Sequence, residues 1–432
     1  MNIKARFILL SVLVVCTCSS SVAQGVIDII KQHPGYASCN YDVYPDSITA
    51  KLTPAPAGKK PFYISHYGRH GSRYISNRSG YDTPYFMMLH ADSLDELTPT
   101  GRQVLRHMNS IMRDTEGRWG ELTGYGKRQM QSIGRRMVER FPEVLHPGAN
   151  VTCISTIVPR CIESMGSAAM EMLQVCPQLH ITMQASKRTQ WYMNYQDRQL
   201  RPNFMTPEAQ KAFDAYTATR MGNARLMELV FKNPDIVEEF VNQEDFSYYL
   251  MKMGLFQLNT NFNRNTNLIG LFNTNDLYRM WQVDNAYWYL QHGACKLNGG
   301  KQPYTQRYLL KQMIADADSC IKLPDPGAQL RFGHETVLLP LVCLIGVNGF
   351  DYSTDNLDEL ESHGWWCSSV FPMASNLQFV FYRSNPKDKD ILIKVLLNEV
   401  EATLPISTDC APYYHWTDFR QFCLKKLADY KQ

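Results

Sequence analysis

The sequence predicts an α/β protein: a central, mostly parallel sheet flanked by helices, interrupted by a mostly helical insertion. Three observations carry that expectation. Strand-like and helix-like segments alternate between residues 61 and 186, the rhythm of a parallel sheet with crossover helices. The stretch 188–300 is rich in Asn, Met and aromatic residues and shows little strand pattern. After it the sheet pattern resumes and closes with two strand-like runs joined by a polar turn.

Taken in order, PFYISHY (61–67) alternates and carries aromatics, so it reads as a strand ending at Gly68. Helical periodicity follows over 98–115 and 123–142, with Thr123 placed to cap the second helix. VTCISTIVP (151–159) is β-branched and bounded by Asn150 and Pro159, which suits a buried strand; 160–176 is helical in pattern, and HITMQAS (180–186) is a third strand. Within the insertion, PEAQKAFDAYTATRMGNARLMELVF has helical spacing. KLPDPGAQ (322–329) leads back to LRFGHETVLLPLVCLIGV (330–347), which reads as strand, tight junction and helix. LQFVFYRS (377–384) and ILIKVLLNEV (391–400) flank the turn SNPKDKD and should pair antiparallel, and a last helix covers 416–430. The expected organisation is a leader at 1–23, a first α/β part at 24–187, a helical cap at 188–300 and a second α/β part at 301–432.

Composition narrows the function. A chain of 432 residues with 44% hydrophobic and 20% charged residues can bury a sizeable core. The N-terminus carries Lys4 and Arg6, an apolar run from Phe7 to about Val15 and a small-x-small pattern at Ser21 and Ala23, so export with cleavage after Ala23 is expected. A lipid anchor on Cys16 or Cys18 is the weaker alternative, since Val15 and Thr17 stand where a lipobox has small residues. Losing Lys4 and Arg6 would take the formal charge from +3 to +1, which argues against nucleic acid as a partner. No later segment is long enough to span a membrane. Ten cysteines remain after such cleavage, none in a CxxC pair, and their pairing is not readable from sequence; Cys153 and Cys343 lie in apolar runs and read as buried free thiols.

The chemistry gathers where three strands end. The first runs into Arg69-His70-Gly71-Ser72-Arg73, the second has Arg160 just beyond it, and the strand after the insertion runs into Gly333-His334-Glu335-Thr336. In a parallel sheet, ligands bind beyond the carboxyl ends of the strands. Three arginines converging on one edge repel unless an anion lies between them, and guanidinium forks match the oxygens of a phosphate. Among such cations the His70 imidazole should stay neutral, with a nitrogen free to attack phosphorus. Glu335 is the acidic residue embedded in these motifs and the candidate proton donor to a departing alkoxide; its plainer role is a first-turn acid on a helix. His66 falls on the same strand face as His70 and reads as structural. HETVL lacks the second histidine of a zinc-protease motif, so neither metal nor cofactor is expected.

Four segments, RHGSR, LTGYGKRQ, STIVPRCIES and GHETVLLPL, in this order and spacing, resemble the histidine acid phosphatases, the clade-2 histidine phosphatases, and most of all the multiple inositol polyphosphate phosphatases, which act as phytases. The resemblance covers nearly the whole mature chain. It implies the histidine phosphatase fold, a phosphohistidine at His70, phosphate binding by Arg69, Arg73, Arg160 and His334, and a small, polyanionic phosphomonoester as substrate. The departure is at Glu335: most of the family has His-Asp and inositol polyphosphate phosphatases have His-Ala-Glu, whereas here the order is His-Glu-Thr. QDRQLRPNF (196–204) is similar to a segment near the start of the family's cap, which makes Arg198 and Arg201 candidates for outer phosphates. The rival expectations are a general acid phosphatase for sugar phosphates or nucleotides, a mutase-like transferase, and a periplasmic phospholigand-binding protein without turnover.

Overall fold

The computed structural model describes residues 25–193, 200, 205–260 and 267–430. Eight strands form one sheet: β1 (Lys60–Arg69), β2 (Asn150–Ser155), β3 (His180–Ala185), β4 (Gly327–Gly333), β5 (Asn376–Arg383), β6 (Leu392–Leu397), β7 (Val400–Glu401) and β8 (Tyr414–His415). Their order is β3-β2-β4-β1-β5-β6-β7, with β8 also paired to β6. The first four of these in space are mutually parallel, and β5 to β8 extend the sheet antiparallel.

Period-two alternation along the strands divides the core. Ile64 on β1, Leu330 and Phe332 on β4 and Val380 on β5 bury against the helices Gly124–Arg140 and Pro159–Val175. Tyr63 and Tyr67 on β1 and Phe379 and Phe381 on β5 face the other way, into the larger core shared with the inserted helices. Among the described residues of 188–300 there is no strand, and the longest helix there, Thr274–His292, opens with a capping box from Asn273 and Asp276. Helix Gln243–Phe256 packs against Ser79–Ser93.

Three differences from the sequence reading have plain causes. The strand expected at 151–159 is shorter and stops at Ser155: Pro159 lacks an N–H and opens the next helix, and Arg160 sits in its first turn, in line with the helical pattern expected from 160 onward. The helix Ser79–Ser93 was not anticipated, with Pro84 near its start and a weak apolar stripe. Arg307–Cys320 also went unread; it supplies Leu310, Met313 and Ile314 to the core. All ten described cysteines are free thiols, Cys153 and Cys343 both buried. No described helix is long and apolar enough to cross a membrane.

Candidate active site

The parallel register sets the site. Arg69 at the end of β1 lies level with Gly333 at the end of β4, and Ser155 at the end of β2 is level with Phe332. The three chemically loaded segments therefore leave the sheet side by side. The His70 N–H donates to the Gly333 carbonyl at 2.9 Å, and the His334 N–H donates to the Tyr67 hydroxyl at 3.2 Å. Only glycine fits at 333, since a Cβ there would lie 1.9 Å from that hydroxyl.

The loop after β1 is clamped by the helix Gly124–Arg140. The Ser72 N–H donates to Gln129 Oε1 at 2.8 Å, and its carbonyl accepts from the N–H and hydroxyl of Thr123 at 2.9 and 3.0 Å. Thr123 also caps the helix, accepting from the Gly126 N–H at 3.0 Å, as its position in the sequence suggested. Gly126 is needed because a side chain would meet the Ser72 carbonyl at 2.1 Å. From the next crossover helix, Ser164 Oγ accepts from the Gly71 N–H at 3.1 Å and donates to the Arg160 carbonyl at 2.7 Å.

Around this frame the cations are anchored through part of their donors only. Arg69 is wholly buried; its Nη1 donates to the Asn40 and Phe371 carbonyls, the latter at 2.8 Å, and its Nε lies 3.1 Å from Glu335 Oε2. Arg73 Nη1 donates to the Tyr74 carbonyl at 3.0 Å, and its Nη2 is 3.8 Å from Glu335 Oε1. Left without a hydrogen-bond partner among the described residues are Arg69 Nη2, Arg73 Nε, Arg160 Nε and His70 Nε2, all buried atoms. Unpaired buried donors are rare in folded proteins, and a cluster of them on three guanidinium groups is a site for an oxyanion. Arg160 is half-buried, and Arg73 and Glu335 are close enough to act on its charge.

His70 is fully buried, and its Nδ1 lies 2.9 Å from the Gly71 carbonyl. A carbonyl can only accept, so Nδ1 carries the proton and Nε2 presents a lone pair. That Nε2 is 3.6 Å from Glu335 Oε2. Burial holds the His70 imidazole well below its usual 6.5, Glu335 opposes, and Arg69 and Arg73 push it further down. His334 stands edge-on to it, ring centroids 5.7 Å apart, with Nε2 3.2 Å from the Thr156 hydroxyl; burial lowers it to about 4. Burial also lowers Arg69, to about 10. For Glu335 burial pulls upward, but the charge of Arg69, joined by that of Arg73, reverses this and holds the carboxyl well below its usual range. In this state Glu335 is ionised and lies among the arginines.

The structure brings Arg69, His70, Arg73, Arg160, His334 and Glu335 to one edge of one sheet. Arg198 and Arg201 fall outside the described residues. Among the described residues His66 does not reach the site through a hydrogen bond: both its ring nitrogens are buried without a partner there, the ring centroid lies 5.6 Å from that of Phe332, and burial lowers it to about 3. Tyr67, Ser164 and Gln129 escaped the sequence reading as site-building residues. Ser164 had a signal, standing one helical turn after Arg160; Tyr67 had none, because its hydroxyl acts across the sheet.

The comparisons with known proteins agree with this architecture. No curated protein sequence matches significantly. Among solved structures, the multiple inositol polyphosphate phosphatase of Bifidobacterium longum in complex with inositol hexasulfate is similar over 90% of this chain and 97% of its own, with a TM-score of 0.70 at 16% identity. The phytase of D. castellii is similar over 91% and 85%, with a TM-score of 0.67 at 12% identity, and that of Citrobacter braakii over 85% and 98%, with 0.53 at 12%. At such identities the likeness concerns the fold. Residues 68–398 match the family model of the histidine phosphatase superfamily (branch 2), a span that opens just before Arg69 and takes in every described residue of the anion cup, and the chain belongs to that superfamily.

Proposed function

We propose that the protein is an exported phosphomonoester hydrolase that works through a phosphohistidine on His70, with inositol polyphosphates as substrates. The observation that carries the chemistry is the set of buried, unpaired guanidinium donors on Arg69, Arg73 and Arg160 surrounding a bare imidazole nitrogen. The superfamily supports phosphatase activity. The inositol preference is supported by structural likeness to proteins named for inositol polyphosphate and phytate hydrolysis, one of them holding inositol hexasulfate. Export is supported by the leader pattern of the first 23 residues.

In the first step His70 Nε2 attacks phosphorus in line with the ester oxygen; the P–N bond forms as the P–O bond breaks. Arg69, Arg73, Arg160 and His334 stabilise the charge on the phosphoryl oxygens. The leaving alkoxide takes a proton from Glu335. A carboxyl ionised in the resting site gains that proton when a phosphate anion enters: the anion draws the arginines' field and repels the carboxylate, which raises its pKa. In the second step water attacks phosphorus, Glu335 accepts its proton, the P–N bond breaks and inorganic phosphate leaves.

Phosphate release from inositol hexakisphosphate and from a small phosphomonoester, by wild type and His70→Ala with a chelator present, tests the reading. Faster release from the inositol ester, lost in the variant and unaffected by the chelator, supports it. A strong preference for the small ester makes the protein a general acid phosphatase, and binding without release makes it a phospholigand-binding protein.

A further inference from the structure

One side chain from the inserted segment reaches the catalytic loop. Asn259 closes the short turn Gln257–Asn259 after helix Gln243–Phe256 and is wholly buried. Its Oδ1 accepts from Ser72 Oγ at 2.6 Å, and its Nδ2 donates to the Tyr41 carbonyl at 2.7 Å. Both partners adjoin the anion cup. Ser72 lies between His70 and Arg73, while Tyr41 follows Asn40, whose carbonyl holds Arg69 Nη1. The Tyr41 ring also faces the Arg73 guanidinium, with Cζ 5.6 Å from the ring centroid.

We propose that Asn259 is a positioning residue for the anion cup: it fixes the spacing between the Ser72–Arg73 loop and the Asn40–Tyr41 segment, and so aims Arg69 and Arg73 at the same anion. The inference rests on reading the cup as a phosphate site. Joining these segments takes an acceptor and a donor on one short planar group, which a carboxylate or an aliphatic side chain lacks. Because the amide is buried, releasing either partner leaves an unpaired polar group, so the tie is held closed. The link is not redundant with the loop's other contacts. Thr123 and Gln129 secure the Ser72 backbone to the helix behind it, but neither bonds to the Asn40–Tyr41 segment in these contacts. Nor is Tyr41 tied to the loop alone: Lys252, from the helix that leads to Asn259 and paired with Asp284, has its Nζ 5.6 Å from the same ring. A substrate contact that shifts the inserted helix would thus be felt at Arg73 through Asn259 and Tyr41 together.

The test is inorganic phosphate binding by calorimetry to wild type, Asn259→Ala, Ser72→Ala and the double variant, with melting temperatures in parallel. Each single change should weaken phosphate binding about tenfold, the size of one buried hydrogen bond, and the double should be no weaker than the weaker single, since both cut one tie. kcat/KM should fall with it while the pH profile stays in place. Additive losses, or unchanged binding in Asn259→Ala with only a lower melting temperature, would reduce Asn259 to a folding role. If Asn259→Ala does not fold, Ser72→Ala asks the same question from the loop side, and normal binding there overturns the proposal. Failure of wild type to bind phosphate is a different result: it removes the cup reading itself, and the positioning role with it.

Discussion

Glu335 Oε2 lies 3.1 Å from Arg69 Nε, so in the resting protein the proposed proton donor stands in the field meant for the substrate's phosphate. Carboxylate and phosphate compete for one set of cations. Glu335→Gln removes the competitor and the proton together. It should bind inorganic phosphate more tightly than wild type, and its turnover of alkyl phosphates should fall by about 10²-fold or more while an activated aryl phosphate loses far less. Calorimetry and rates against leaving-group pKa measure the two effects, and equal losses on both esters would remove Glu335 from proton transfer.

His70→Ala should lower hydrolysis by on the order of 10⁶-fold, the scale seen when a covalent nucleophile is deleted. Wild type mixed briefly with substrate and quenched in alkali should carry phosphate on His70, detectable by mass spectrometry of the peptide, because phosphoramidate bonds survive base.

Stability should fall steeply in mild acid. His66, His70, His292 and His334 are all depressed chiefly by burial, to about 3 for His66 and about 4 for His292 and His334. Below 6.5 the unfolded chain takes up protons that the native state refuses, so the native state loses up to about 1.4 kcal/mol per pH unit for each such group until its folded pKa is reached. Glu335, depressed in the fold, adds to the loss only below about 4.5. Half-buried His146 and His415 are raised by their partners, so their small contribution is full below 6.5 and fades as pH rises through their folded pKa. Denaturant midpoints between pH 7 and 4 should show the decline, and added phosphate should offset part of it.

Activity should extend to lower pH than an ordinary histidine allows, because the imidazole of His70 stays neutral well below 6.5. The acid limb of kcat/KM measures this; a limb centred on 6.5 would mean that His70 is solvated.

Gly126→Ala places a methyl group 2.1 Å from the Ser72 carbonyl. Backbone cannot step aside as a flexible side chain can, so the change should cost about 1–3 kcal/mol or more in stability and weaken phosphate binding. Gly148→Ala, with nothing within 4 Å of its Cβ position but a φ of +89°, is the control for strain without a clash at the loop.

Much of this was legible in the sequence. Strand ends in a parallel sheet declare themselves by a β-branched run followed by glycine or proline, and polar residues placed there have few structural reasons to be charged. That logic singles out Arg69, His70, Arg160 and His334. What escaped it acts across distance: Tyr67 works on His334 from a neighbouring strand, Asn259 on Ser72 from the inserted segment, and the Asn40 and Phe371 carbonyls on Arg69 from a 3₁₀ helix and a loop. Backbone carbonyls leave no trace in residue identity. The ionised state of Glu335 was equally hidden, because it depends on how closely the arginines approach once folded.

The hydroxyl of Tyr67, seated over Gly333 and bonded to the amide of His334, joins two adjacent strands at the level where both histidines emerge. The separation of the two imidazoles is therefore a property of the sheet, as rigid as its ladder, and not of the loops that carry them. On heating, the spacing of the two imidazoles should outlast the loosening of outer helices, and be lost only when the strands part.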